Sequence, residues 1–237
     1  MTKKNTKAQS GQDNKLFDDL INKAELKQLV YKNTLETFKL FKNTTTDMVA
    51  DYQRYCETKK IKNAVPFESK TISDFQIELK FAGDLLLFNM HSNIFEFPRN
   101  HAIMRTSYVK DDKSRSYCGV INIYNFLCDS FKYNRINDSG YLIGRIFINK
   151  DKHYFIEGKR ELGFLFNNFG KHILDADKTQ SIVEAAISYT INFDLLTPPY
   201  EQVKVVSVNE MKNALDAISL KTGKRLGFKF QADQGGE

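Results

Sequence analysis

Cysteine, proline and glycine are all scarce in this 237-residue chain. Three cysteines, Cys56, Cys118 and Cys128, make an odd number without a C-x-x-C pair. That leaves no disulfide framework and no zinc knuckle, and predicts reduced thiols. Four prolines and 12 glycines, without an internal repeat, exclude collagen-like and low-complexity chains and argue against solenoids and propellers. Long apolar runs are missing too. No stretch reaches the roughly 18 residues needed to span a bilayer. The opening MTKKNTKAQSGQDN is polar and lacks the apolar segment of a secretory signal. The expectation is an intracellular, cytoplasmic protein that does not enter a membrane.

Several motifs are absent as well. Without GxxxxGK[ST], GxGxxG or GxSxG there is no usual warrant for nucleotide hydrolysis, dinucleotide binding or esterase chemistry. His91, His101, His153 and His172 are scattered without metal-ligand spacing, so neither a metal nor another cofactor is expected for the leading reading.

What the chain does have is a globular balance, 41% hydrophobic and 27% charged residues, with a net charge of +6. The charge is unevenly placed. Between Arg99 and Arg160 stand twelve basic residues against six acidic ones, and six of the eight arginines lie there, while the rest of the chain is neutral. Arginine's planar fork suits phosphate or carboxylate better than a lysine point charge does.

Hydrophobic spacing divides the chain. Leu16, Phe17, Leu20, Ile21 and Ala24 recur at helical steps, and a second helical run continues from Tyr31 to about Lys60. The polar KNTTTD stretch, Lys42 to Asp47, predicts a break between two helices. A connection follows to about Ser73, after which the period changes to two. Phe75, Ile77, Leu79 and Phe81 predict a strand, and Leu85–Met90, Asn93–Phe97, His101–Val109, Tyr117–Asn125, Tyr141–Asn149 and His153–Arg160 predict more, the last two as a hairpin. A helix is expected over Lys178–Tyr189, a strand over Gln202–Val208, a capping-box helix from Ser207, and a last strand over Leu226–Phe230. The fold class is α+β, a mostly antiparallel sheet with an N-terminal helical region and two later helices. The expected organisation is a disordered tail over 1–14, a helical region over 15–62, an α+β domain over 70–230 and a disordered tail over 231–237.

The leading functional expectation is a binding protein. Aromatic rings interleave with cations in the arginine-rich segment, the combination that stacks bases and neutralises phosphates. The expected contacts are Arg105, Arg115, Arg145 and the loop residues Lys132, Tyr133 and Arg135. The partner would be nucleic acid or a phosphorylated small molecule. Two rivals differ in class. Asp138 followed by Glu157-Gly158-Lys159 on the second strand of a hairpin resembles the PD-(D/E)xK nuclease superfamily, although Asn137 stands where that pattern has proline. The resemblance implies Mg²⁺ held by Asp138 and Glu157, with Lys159 positioning or activating the attacking water. The other rival is a structural or assembly subunit whose N-terminal helices dock a protein partner.

Overall fold

The computed structural model describes residues 6–136, 138–159, 161–164, 168–194, Thr197 and residues 199–209. The chain is α+β. One helix, α1 (Thr6–Thr58), precedes the strands β1 (Phe67–Ser73), β2 (Gln76–Phe81), β3 (Asp84–Met90), β4 (Phe95–Glu96), β5 (Tyr117–Leu127), β6 (Tyr141–Ile148) and β7 (Tyr154–Gly158). Short helices α2 (Ser107–Asp111) and α3 (Cys128–Lys132) flank β5, and α4 (Glu161–Phe164), α5 (Ala176–Ile191) and α6 (Tyr200–Val203) follow β7. The sheet runs β1-β2-β3-β5-β6-β7, antiparallel throughout, with β4 paired to the start of β5.

The predicted break at KNTTTD does not occur. Helix α1 is continuous over 53 residues, about 80 Å at 1.5 Å per residue, and it takes in residues 6–14 of the expected tail. The threonines keep it going by bonding back to their own helix: the Thr45 and Thr46 hydroxyls both donate to the Lys42 carbonyl. Thr45 is also buried, where its hydroxyl accepts from Ser69 of β1.

Helix α1 crosses the sheet from β5 to β1. Thr34 lies against Gly119 of β5, the Phe41 ring is 5.5 Å from Phe88 of β3, and Thr45 meets Ser69 of β1. The core on this side is built from Phe38 and Phe41, the alternating Ile77, Leu79, Leu86, Phe88, Ile121, Ile123, Ile146 and Ile156, and Ile182, Val183 and Ala186 of α5. Gly119 lets α1 come this close, because a Cβ there would stand 2.0 Å from the Thr34 hydroxyl oxygen, itself fixed to the Val30 carbonyl at 2.7 Å. Replacing Gly119 by alanine should overpack this seam and cost about 1–3 kcal/mol, read as a lower denaturation midpoint. An unchanged midpoint would mean that α1 can shift away freely.

Other expectations need correction. His101–Val109 is not a strand: a 3₁₀ turn over Ala102–Arg105 is capped by the His101 ring and α2 by the Thr106 hydroxyl, so side-chain caps override the β-branched composition. The expected connection before Ser73 is the edge strand β1, whose outer residues are too exposed to leave an alternating apolar signature. The strand expected over Gln202–Val208 is absent, since Pro199 instead starts α6 at Tyr200. The second later helix, the last strand and the C-terminal tail lie outside the described residues. No helix among the described residues is long and apolar enough to cross a membrane.

Candidate functional site

The face of the sheet opposite α1 is only partly covered. Phe97, Ile103 and Val109, from the segment between β4 and β5, pack with Val120, Phe147, Phe155 and Phe169 over its β5–β7 half. Where that cover ends, a cavity of about 360 Å³ opens between Phe95, Phe97 and His101 of the cover and Val120, Asn122, Arg145 and Glu157 of the sheet. This size suits a small ligand or one unit of a larger one.

Three polar side chains in the cavity, Arg145, Glu157 and His101, form one arrangement, while the Glu96 carboxylate in the wall accepts from the Tyr117 hydroxyl. Arg145 and Glu157 face each other across β6 and β7, and the guanidinium donates from Nε at 3.2 Å and Nη2 at 2.5 Å to Glu157 Oε2. Glu157 Oε1 is 3.1 Å from His101 Nε2. The His101 tautomer follows from its other nitrogen: Nδ1 accepts from the Ile103 backbone N–H, so the proton sits on Nε2 and donates to Glu157. Burial raises the Glu157 pKa, but the hydrogen bonds and charge of Arg145 and His101 outweigh it and hold the carboxyl below its usual range. His91 Nδ1 likewise accepts from the Asn93 N–H, leaving its Nε2–H as a donor in the wall. Asn122 stands opposite Arg145 across β5 and β6, and its Oδ1 is buried with no hydrogen-bond partner among the described residues. The walls are aromatic, with the Phe97 ring 4.6 Å from His101 and tilted by 30°, and Phe95 edge-on 4.7 Å from His91. A planar, polar-edged ring fits this set of flat apolar walls with an unfilled donor and acceptor.

Comparison with known proteins matched no family model, no curated protein and no solved structure.

The residues singled out from sequence fall in three places. Arg145 lines the cavity but is charge-paired with Glu157. Arg115 is a staple: its Nε donates to Asp151 at 2.9 Å, its Nη1 to the Tyr108 carbonyl at 2.9 Å, and it lies 4.3 Å over the Tyr108 ring. The Tyr108 hydroxyl, its pKa pushed up to about 12 mainly by burial, donates to the same Asp151. Arg135 is almost fully buried between Asp129 at 3.7 Å and Asp138 at 3.6 Å. Arg105 is exposed in the cover with no ion pair among the described residues, and Lys132, expected on a loop, ends helix α3, exposed over the Tyr133 ring at 4.9 Å. Three arginines of the segment, Arg115, Arg135 and Arg145, are thus paired with carboxylates within the fold, whereas Arg99 and Arg105 are exposed without ion pairs among the described residues. Arg115→Ala should lower stability, by less than a buried charged hydrogen bond would because both partners keep some water, and should leave ligand affinity alone. Chemical denaturation beside a binding titration checks this, and lost affinity at unchanged stability would put Arg115 on the ligand instead.

The carboxylates of the nuclease-like pattern serve different cations. Asp138 accepts from the Ser130 hydroxyl at 2.6 Å and neighbours Arg135, Glu157 is engaged by Arg145 and His101, and Lys159 is exposed just beyond β7. Among the described residues no three His, Cys, Asp or Glu side chains gather to hold a metal. Two of the thiols are also quiet, since burial pushes Cys118 up and Cys128 up to about 11. Sequence reading missed His91, Phe95, Phe97, His101 and Asn122. Only Asn122 leaves a trace, as a polar residue in phase with Val120 and Tyr124 inside a β-branched strand.

Proposed function

We propose that the chain is a binding protein whose open sheet face takes a nucleobase carried on a phosphate-bearing ligand, a nucleotide or a single-stranded nucleic acid. The observation that carries this reading is the buried, unpartnered Oδ1 of Asn122 between aromatic walls. An unsatisfied buried acceptor costs about 1–3 kcal/mol, which a ligand N–H would recover once the amide turns this oxygen, closed to solvent in the unliganded fold, toward the cavity. A side-chain amide offers a donor beside an acceptor, the pattern with which asparagine pairs to the edge of adenine, and exposed rings hold unstacked bases. The phosphate falls to the rim. Arg145 is already matched by Glu157, whereas Arg99 and Arg105, in the segment that supplies Phe97 and His101, are exposed without ion pairs among the described residues. Calorimetric titration with AMP, CMP, GMP and UMP tests the reading. Saturable binding of at least one supports it, and heats of dilution for all four would sink it.

A second reading concerns the free end of α1, where Leu16, Phe17, Leu20 and Ile21 are 65%, 56%, 62% and 53% exposed along one side of the helix. Such a stripe suits a protein partner, in line with an assembly role that is compatible with ligand binding on the sheet.

A further inference from the structure

Strand pairing lines up Gln76, Asn89, Asn122, Arg145 and Glu157, each directly opposite the next, in one row across β2, β3, β5, β6 and β7. At 4.7–4.9 Å per strand the row is about 19 Å long, far more than the cavity at its β5–β7 end requires. Gln76 and Asn89 lie beyond the cover, are half-buried, and make no side-chain hydrogen bond among the described residues. Beside them in the next row stand Leu87 and Tyr124, paired across β3 and β5 and also half-buried, so that an apolar surface and an aromatic ring flank the free amides.

We infer that the ligand is a single-stranded nucleic acid lying along this row rather than a free nucleotide, which deepens the reading above and depends on it. The first base occupies the cavity at Asn122, and the next stacks on Tyr124 with its edge on Asn89. Charge sets the side on which the phosphates run. At the β1–β2 end Glu68 pairs opposite Lys80 and Lys70 opposite Glu78, so that end is neutral. The cover at the cavity carries exposed Arg99 and Arg105 against exposed Glu96, which accepts from the Tyr117 hydroxyl, while exposed Lys110, Asp111 and Lys113 sit farther along, beside the turn between β6 and β7. A strand with bases on the amides and phosphates along the cover satisfies both. Amides and rings without a dedicated clamp favour tolerance of sequence beyond the first base.

The test is a length series. Affinity is measured for the best-binding nucleoside monophosphate and for its homo-oligomers up to about 4 nucleotides and beyond, with wild type, Asn89→Ala and Tyr124→Leu. Oligomers are expected to bind roughly 5- to 150-fold more tightly than the monomer, the increment of one stacked base, and more steeply with falling salt. Both variants should lose that increment while keeping monomer affinity, which also certifies that each is folded. Equal affinity for monomer and oligomers would overturn the polymer inference and leave the cavity reading standing. Oligomers favoured equally by wild type and both variants would place the extra contacts elsewhere and overturn the row. No binding of any monomer or oligomer would remove the cavity reading itself.

Discussion

A chain that starts at Glu68 should fail to fold, whereas one that lacks only residues 1–20 should fold normally. Helix α1 has two unlike halves. From Val30 onward it supplies Val30, Phe38 and Phe41, which are between 0% and 3% exposed, and closes the sheet over Ile77, Leu79 and Phe88. Losing a single large apolar side chain from such a core costs about 2–5 kcal/mol. Losing several at once exceeds the roughly 5–15 kcal/mol that holds a domain together. Residues 14–23, by contrast, are exposed or half-exposed, and the main tie of this part to the body is Lys23, which donates to the Tyr117 hydroxyl and lies 3.8 Å over that ring. The expected result is aggregation and no cooperative unfolding for the shorter chain, against a wild-type denaturation midpoint for the longer one. A soluble, cooperatively unfolding chain from Glu68 would show that the sheet does not need its helix. Loss of any higher-order assembly on removing residues 1–20, with the fold intact, would support the partner-docking reading of the exposed stripe.

Asn122→Ala should weaken nucleotide binding by about 1–3 kcal/mol, the value of a bidentate contact between a side-chain amide and a base. The fold should survive, because the alanine removes a buried oxygen that no group in the described protein satisfies. Stability should therefore hold steady or rise slightly as affinity falls, an opposition that distinguishes a ligand contact from a packing residue. Arg145→Lys should also weaken binding, since a lysine cannot keep both bonds to Glu157 and still present a nitrogen to the ligand. Binding and denaturation measured on the same preparations decide it. Falling stability with unchanged affinity would make Asn122 a structural residue.

Much of the sheet was legible in the sequence because one buried face imposes a period of two. Phe75 to Phe81, Leu85 to Met90 and the β6–β7 hairpin were all readable in this way. The edge strand β1 was not, because an edge buries too little to alternate. The continuity of α1 through Lys42 to Asp47 was hidden because the side-chain-to-backbone bonds of Thr45 and Thr46 do not show in composition. The site was the least legible part. A cluster of arginines in sequence says nothing about their partners, and Arg115, Arg135 and Arg145 each found a carboxylate in the fold. The amide row is a property of register: Asn89, Asn122 and Arg145 are far apart in the chain and become neighbours only when β3, β5 and β6 pair.

The central claim is that a base sits against the Asn122 amide, and the side-chain NH₂ resonances of the ¹⁵N-labelled protein report on it directly. On titration with the best-binding nucleoside monophosphate, the Asn122 signals, assigned by their absence from the Asn122→Ala spectrum, should shift in a saturable way together with backbone signals of Phe97, His101 and Arg145. Saturable shifts elsewhere in the spectrum, with the Asn122 signals unmoved, would contradict the account.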